Sequence, residues 1–125
     1  MRVLIVDDSA IVRERLADLL SERAGALVRV DQAEDIAGGL QSIRTLEPDV
    51  VILDIQMPGG SGIEVLRALK KERPKAKAII LTNYPYPQYR KRCLEAGADF
   101  FLDKSSEFDK VPRIIGAWID RASGQ

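Results

Sequence analysis

Five short apolar runs, separated by segments of similar length, restrict the folds open to this chain of 125 residues. The runs are Val3 to Val6, Leu27 to Val30, Val50 to Leu53, Ala78 to Leu81 and Phe100 to Leu102. Their lengths and their β-branched or aromatic residues are typical of strands. In the segments between them, apolar residues recur every three or four positions, which is typical of amphipathic helices. The pattern therefore predicts five strands alternating with five helices.

This alternation predicts an α/β fold, a (βα)5 doubly wound parallel five-stranded sheet covered by helices on both faces. The nearly all-apolar strands agree with burial on both faces. In such sheets the ligand crevice lies beyond the carboxyl ends of the strands, where the winding direction reverses. Candidate functional residues are therefore those that directly follow each strand.

Glycine and proline residues mark the expected helix boundaries. Gly25 is placed to end the first helix and Gly97 the fourth, which is expected to begin near Pro87. The last helix is expected to start around Asp109, because Pro112 is tolerated only in a first turn.

Composition excludes several classes of protein. Lysine and arginine total 19, as do aspartate and glutamate, so no net charge attracts the chain to nucleic acid or to an anionic membrane. The absence of histidine removes Ser/His/Asp and Cys/His nucleophile systems and most zinc sites. A single cysteine, Cys93, excludes an internal disulfide and fits a reducing compartment, so a cytoplasmic location is expected. We expect no signal peptide and no membrane span.

Polar residues follow four of the five apolar runs. They are Asp7-Asp8, Asp54, Thr82-Asn83 and Asp103-Lys104. Parallel strands lie about 4.8 Å apart, so carboxylates at neighbouring strand ends can reach a common point. Clustered carboxylates repel one another unless a cation joins them, and a hard divalent ion prefers oxygen ligands. Taken singly, each residue has an ordinary structural explanation: Asp8 or Ser9 can cap a helix, Lys104 can be a solvated charge, and Thr82 can be a strand residue.

Taken together, these residues resemble the receiver domains of bacterial two-component response regulators over essentially the whole chain. The resemblance is carried by the acidic pair, by Asp54 with Met57-Pro58 and Gly62-Ile63-Glu64 after it, by Thr82 and by Lys104. No single element is specific, but their order and spacing are.

The resemblance implies a flavodoxin-like strand order 2-1-3-4-5 and a phosphoacceptor switch with self-phosphorylation and slow self-dephosphorylation. Asp54 would accept a phosphoryl group from a sensor histidine kinase or a phosphotransfer protein. Magnesium would be bound by Asp8, Asp54 and the backbone carbonyl of Gln56, with Asp7 assisting through water. Thr82 and Lys104 would contact the phosphoryl group, as hydroxyl donor and as cation.

The same resemblance places a conformational switch at Thr82 and Phe101, and an output face on the fourth helix, fifth strand and fifth helix. Ordinary core packing of Phe100 or Phe101 is the alternative. Phe101 is often tyrosine in the family, and Ser105 is often a proline with a cis bond.

The segment "NYPYPQY" at 83 to 89 is unusual, and its two prolines are expected to delay the fourth helix. Its three tyrosines can form a stiff aromatic partner surface, and a plain proline-rich loop is the alternative.

We predict a single receiver domain over residues 1–125, acting on a downstream protein partner or an output domain, with no direct nucleic-acid or membrane binding. Whether it acts alone or belongs to a longer regulator, and whether activation gives a homodimer, stay open. Two other functions are weighed: a phosphorylation-independent interaction module, and a phosphatase of the haloacid dehalogenase type. The phosphatase family requires a second aspartate two positions after the nucleophile, where this chain has Gln56.

Overall fold

A five-stranded parallel sheet forms the centre of the protein, seen in a computed structural model that describes residues 1–124, with 123 and 124 described by their backbone alone. Its strands are β1 (Arg2–Val6), β2 (Arg29–Ala33), β3 (Val50–Leu53), β6 (Lys77–Thr82) and β7 (Phe100–Asp103). They are ordered β2-β1-β3-β6-β7. Counting only these five strands, the order is 2-1-3-4-5, and the predicted fold class is confirmed. The winding reverses between β1 and β3.

A small antiparallel hairpin stands apart from this sheet. It consists of β4 (Gln56–Met57) and β5 (Gly60–Ser61), and the pattern of apolar residues did not predict it. Gly59 and Gly60 have φ angles of 90° and 148°, conformations that L side chains rarely adopt. The turn of the hairpin therefore requires backbone conformations that glycine adopts more readily than any other residue.

Five helices cover the sheet. They are α1 (Ala10–Ala24), α2 (Ile36–Leu46), α3 (Ile63–Glu72), α4 (Pro87–Glu95) and α5 (Lys110–Gly124). Ser9 caps α1 by accepting a hydrogen bond from the N–H of Val12, and Pro87 occupies the first turn of α4. Gly25 ends α1 with a φ of 53°. The boundaries inferred from proline and glycine hold to within a residue or so.

The core consists of two layers, one on each face of the sheet. Alternate residues of a strand enter opposite layers: Leu4 packs with α2, α3 and α4, whereas Val3 and Ile5 pack with α1 and α5. All four residues of β3 are buried. Burial on both faces explains why these runs are continuously apolar rather than alternating.

The second strand lies further along the chain than its apolar run predicted. Leu27 belongs to a 3₁₀ turn, Gly25–Leu27, and its side chain is 61% exposed. The strand begins at Arg29 and includes the polar residues Asp31 and Gln32. Because β2 is an edge strand, one side of it meets solvent, and an apolar run is a weaker signal there.

Within residues 1–124, no helix is both long and apolar enough to cross a lipid bilayer.

Candidate functional site

The register of the sheet brings the residues that follow β1 and β3 together. Val6 lies opposite Leu53 in the β1–β3 pair, so Asp7 and Asp54 leave neighbouring strands at the same level. The backbone N–H of Asp54 donates to the carbonyl of Val6 at 3.1 Å and extends the ladder by one residue. Both carboxylates are buried at the carboxyl end of the sheet.

Lys104 joins the two carboxylates. Its ammonium donates to Oδ2 of Asp7 and to Oδ2 of Asp54, each at 2.8 Å. The lysine side chain is 10% exposed, and those of Asp7 and Asp54 are 4% and 6% exposed. The N–H of Lys104 also donates to the carbonyl of Thr82 at 2.8 Å, which fixes its backbone to β6.

The second oxygen of each buried carboxylate accepts a backbone N–H. Ser9 donates to Oδ1 of Asp7 at 2.9 Å, and Gln56 donates to Oδ1 of Asp54 at 3.1 Å. Each oxygen keeps a further lone pair for another partner. The carboxylates are thus held in orientation without being fully saturated.

Asp8 is exposed at the rim of the same site. One carboxylate oxygen from each of Asp7, Asp8 and Asp54 lies within 4.8 Å of the others. Magnesium binds oxygen ligands at about 2.0–2.1 Å, so two oxygens on one ion are at most about 4.2 Å apart. The three oxygens thus lie close to the range of one shared ion, and the donor set fits a hard divalent cation.

The charge of Lys104 is stabilised by its surroundings. Burial alone would lower the pKa of Lys104, but its hydrogen bonds to Asp54 and Asp7 and the attraction of their charges together raise that pKa above its ordinary value. The side chain is therefore an ammonium throughout the neutral range.

Gly62 allows the chain after β3 to return close to Asp54. A Cβ at Gly62 would overlap the backbone carbonyl of Asp54. The N–H of Gly62 donates to the carbonyl of Ile55 at 2.9 Å, and α3 starts directly afterwards. Only a residue without a side chain fits this crossing.

Thr82, at the end of β6, is fully buried. Its hydroxyl oxygen accepts a hydrogen bond from the N–H of Tyr84 at 3.1 Å, so the hydroxyl proton is left to donate elsewhere. Phe101 is 6% exposed and packs in the core layer that includes α4, while Phe100 is 39% exposed. The position of Phe101 agrees with core packing and with a switch residue alike.

The loops beside the site differ in character. Tyr84 and Tyr86 are 44% and 51% exposed, and successive ring centroids of Tyr84, Tyr86 and Tyr89 are 6.4 and 5.9 Å apart. Beyond Lys104, the hydroxyl and N–H of Ser105 donate to Asp103 and lower the pKa of that carboxyl. The peptide bond before Ser105 is trans.

Arg13 is a site neighbour that the sequence did not reveal. Its Nη1 donates to the carbonyl of Asp7 at 2.7 Å, and its Nε donates to the side chain of Gln32 at 3.0 Å. It ties the turn after β1 to β2. Several arginines lie on exposed helix faces, and no sequence signal distinguishes this one.

Comparison with known proteins identifies the family. Residues 3–115 match the sequence profile described as "Response regulator receiver domain". The chain is 36% identical over 115 residues to the response regulator GacA of Pseudomonas viridiflava, covering 92% of this chain and 53% of that protein. The chain therefore spans about half the length of this curated relative.

Solved structures agree. A CheY-like receiver domain protein from Methanospirillum hungatei JF-1 superposes with a TM-score of 0.86 at 28% identity, covering 96% of this chain and 94% of the other. A LuxR-family response regulator from Aurantimonas sp. SI85-9A1 gives a TM-score of 0.83 at 31% identity, covering 94% and 84%. With its strand order and its profile match over residues 3–115, the chain belongs to the response regulator receiver domains of two-component signalling.

Proposed function

We propose that Asp54 is the phosphoacceptor of this receiver domain, taking a phosphoryl group from a histidine of a sensor kinase or phosphotransfer protein. The observation that carries this proposal is the ammonium of Lys104, placed 2.8 Å from both Asp54 and Asp7 in a buried pocket. The ammonium of Lys104 contacts the proposed nucleophile, Asp54. It can also contact a negatively charged phosphoryl group once that group is attached to Asp54.

The charge balance of the pocket favours a reactive site over a structural ion pair. Three carboxylates cluster in this pocket, and the single ammonium of Lys104 contacts two of them. Two like charges 4 Å apart repel by about 4 kcal/mol at an effective dielectric of 20. A pocket built for stability alone would be neutral, whereas this one has an excess of negative charge that a cation can offset.

Magnesium is the proposed cation. Asp8, Asp54 and the backbone carbonyl of Gln56 would hold it, with Asp7 assisting through water. When bound, it would neutralise the negative charge that accumulates between Asp54 and the incoming phosphoryl group. The three clustered carboxylates and their oxygen-only donor set support this assignment.

The transfer itself needs mainly positioning and charge neutralisation. An oxygen of Asp54 forms a bond to phosphorus as the bond from phosphorus to the donor imidazole nitrogen breaks, and the electron pair leaves with that nitrogen. Lys104 supplies a positive charge to the transferred group, and Thr82 donates its hydroxyl proton to a phosphoryl oxygen. Small phosphodonors react in the same way, and slow attack of water on phosphorus returns the free carboxylate.

The added charge of about −1.5 to −2 provides the signal. Drawing the hydroxyl of Thr82 toward the phosphoryl group moves the end of β6, which pairs with β7. Phe101 lies on β7 opposite Ile80, and it is the proposed switch residue on the face formed by α4, β7 and α5. Reversing a 1:99 equilibrium requires about 5.5 kcal/mol, which a buried charge with several partners can largely supply.

The domain organisation, the downstream partner and the cellular location are part of the same proposal. A single receiver domain over residues 1–125 would act on a downstream protein or an output domain, since the relatives are about twice as long as this chain. The cytoplasmic location expected from the sequence stays a prediction. The haloacid dehalogenase alternative is not favoured by the family match.

Intact-mass spectrometry after treatment with acetyl phosphate and magnesium tests the proposal. We expect the mass of one phosphoryl group to be added and then lost on hydroxylamine treatment, and Asp54→Asn to prevent the addition. The matched control is Asp18→Asn, an exposed aspartate of α1. No addition to the unmodified protein with any donor would instead support a phosphorylation-independent module.

A further inference from the structure

The turn that joins β1 to α1 contains two of the three clustered carboxylates. It consists of residues 7–9. The carboxylate of Asp7 accepts hydrogen bonds from the N–H of Ser9 and from the ammonium of Lys104. Within residues 1–124, by contrast, no donor forms a hydrogen bond or an ion pair with the carboxylate of Asp8. The position of the Asp8 carboxylate therefore depends on the backbone of the turn.

Arg13 holds the peptide group between Asp7 and Asp8. The carbonyl of Asp7 belongs to that peptide group, and it accepts a hydrogen bond from Nη1 of Arg13 at 2.7 Å. No backbone N–H of residues 1–124 donates to the same oxygen. Because a peptide group is planar and rigid, holding its oxygen also restrains the Cα of Asp8. Arg13 thereby limits the directions in which the side chain of Asp8 can point.

A second hydrogen bond anchors the guanidinium itself. Its Nε donates to the side-chain oxygen of Gln32, on the edge strand β2, at 3.0 Å. The N–H groups of a guanidinium lie in one plane with a fixed arrangement, so two bound donors define its orientation. The acidic turn is thus connected to both α1 and β2 through one side chain.

The contacts of Arg13 leave the carboxylates available to a metal ion. Within residues 1–124, Arg13 forms no ion pair with a carboxylate. It binds a backbone carbonyl instead. An arginine that paired with Asp7, Asp8 or Asp54 would compete with the ion for their oxygens, whereas this one restrains the turn without occupying them.

We propose that Arg13 is a positioning residue for magnesium binding: by holding the carbonyl of Asp7, it directs the carboxylate of Asp8 toward those of Asp7 and Asp54. One oxygen of each of these carboxylates lies within 4.8 Å of the others. Replacing a residue that orients a metal ligand typically weakens metal binding about 10- to 100-fold. The inference rests on the proposed function only in assigning magnesium to this cluster.

Positioning and charge have opposite effects on the Kd for magnesium. The guanidinium of Arg13 is a cation beside the cluster, and its charge repels a magnesium ion. If charge were its only influence, removing the guanidinium would lower the Kd. Loss of the restraint on the turn would instead raise the Kd. The direction of the change therefore distinguishes the two roles.

Isothermal titration calorimetry with magnesium chloride, at neutral pH and without a phosphodonor, tests the inference. We expect Arg13→Met to raise the Kd for magnesium about tenfold. Methionine is about as good a helix former as arginine, so α1 should be retained. Arg13→Lys keeps the charge but lacks the planar arrangement of donors, and it should also raise the Kd.

Arg73→Met is the matched control for the calorimetry. Nε of Arg73 also donates to a backbone carbonyl, that of Pro48, at 2.9 Å, but at the opposite end of the sheet. The Kd for magnesium of this variant should equal that of the unmodified protein.

A double-mutant cycle tests the anchor on β2. Gln32→Met removes the acceptor of Nε and keeps a side chain of similar length, and we expect a smaller rise in Kd than from Arg13→Met. Because Gln32 acts through Arg13, the double variant should bind magnesium no more weakly than Arg13→Met alone. Additive effects of the two substitutions would contradict the anchoring role of Gln32.

The magnesium dependence of phosphorylation gives a second readout. Intact-mass spectrometry after a fixed time with acetyl phosphate follows the modification of Asp54 over a series of magnesium concentrations. Arg13→Met should need about tenfold more magnesium for half-maximal modification, and saturating magnesium should restore the extent seen in the unmodified protein. A purely structural role of Arg13 would lower the free energy of unfolding and leave the Kd unchanged.

An unchanged or lowered Kd in Arg13→Met, or an equal rise in Arg73→Met, would overturn the inference. Absence of magnesium binding by the unmodified protein would overturn it as well. Phosphoryl addition to Asp54 with an unchanged Kd in Arg13→Met refutes the role of Arg13 alone. Magnesium binding that depends on Arg13, without phosphoryl addition, refutes the phosphoacceptor proposal and leaves the inference standing.

Discussion

The two ends of the central sheet both gather acidic and basic side chains, but in different surroundings. At the carboxyl end, Lys104 contacts Asp7 and Asp54 at 2.8 Å, and all three side chains are at most 10% exposed. At the amino end, Arg73 lies 3.7 Å from both Glu47 and Asp49, and these side chains are 31%, 73% and 51% exposed.

The difference distinguishes exposed structural charges from the buried charges of the proposed phosphorylation site. Arg73 also donates to the carbonyl of Pro48, and the N–H of Arg2 donates to Asp49, so the amino-end groups hold chain segments together in contact with water. Water screens such pairs, and their sum of charges is small. At the carboxyl end, three carboxylates cluster with one ammonium. The site therefore has an excess of negative charge, which a bound cation can offset.

Replacing the central cation at each end should give the largest contrast. Lys104→Met leaves two buried carboxylates without their ammonium, and we expect it to lower the free energy of unfolding by about 3 kcal/mol. Arg73→Met removes exposed pairs and should cost no more than about 1 kcal/mol. Urea unfolding at pH 7 measures both, and equal losses would contradict the distinction between the two ends.

The pH dependence of the Lys104 variant sharpens this comparison. Because the folded-state pKa of Lys104 is raised, its stabilising contribution is complete below its ordinary value of 10.5 and is lost as the pH rises through the folded-state pKa. The stability difference between the unmodified protein and Lys104→Met should therefore stay constant from pH 7 to about pH 10. The stability difference should shrink at higher pH. A decline that starts near neutrality would show that the pKa of Lys104 is not raised in the folded protein.

Gly62→Ala should have the next largest effect. The new Cβ meets the backbone carbonyl of Asp54, which cannot rotate away, and we expect a loss of about 2 to 3 kcal/mol together with impaired phosphorylation of Asp54. Gly116→Ala is the matched control. Its Cβ would lie 2.6 Å from Nε of Arg23, the end of a flexible side chain, and alanine favours the helix interior. A neutral or stabilising change is expected there, and a similar loss at both glycines would argue against a steric cause at Gly62.

Magnesium should give the smallest effect and should distinguish the acids at the two ends. An ion at ten times its dissociation constant stabilises the folded protein by about 1.4 kcal/mol. We expect magnesium to raise the Tm of the unmodified protein and of Asp49→Asn, but to have a reduced effect on Asp8→Asn. Differential scanning calorimetry measures the shifts, and an unchanged response in Asp8→Asn would remove Asp8 from the ion's ligands.

The positions of Asp7, Asp54, Thr82 and Lys104 were predictable because each lies at the carboxyl end of a parallel strand or directly after it. Strand periodicity identifies the runs, and parallel pairing brings their carboxyl ends to one edge. No sequence motif around each residue is needed for this prediction, because the positions of the strands determine where the residues lie. The same logic explains why Val50–Leu53 was predicted to the residue: it is buried on both faces.

Features that depend on edges and long side chains were not predictable. The second strand was displaced because an edge strand admits Asp31 and Gln32, and the hairpin Gln56–Met57 with Gly60–Ser61 has no apolar pattern. The contact of Arg13 with the carbonyl of Asp7 depends on a rotamer of a flexible side chain. The sharing of one ammonium between two carboxylates depends equally on atomic geometry that spacing does not encode.

The burial of Cys93 makes the chain suited to a labelling assay. It is the single thiol in the sequence, it is fully buried on the inner side of α4, and burial raises its pKa. A thiol-reactive dye can reach it only when α4 separates from the sheet. The labelling rate therefore reports how often α4 separates from the sheet, and no cysteine has to be introduced for the measurement.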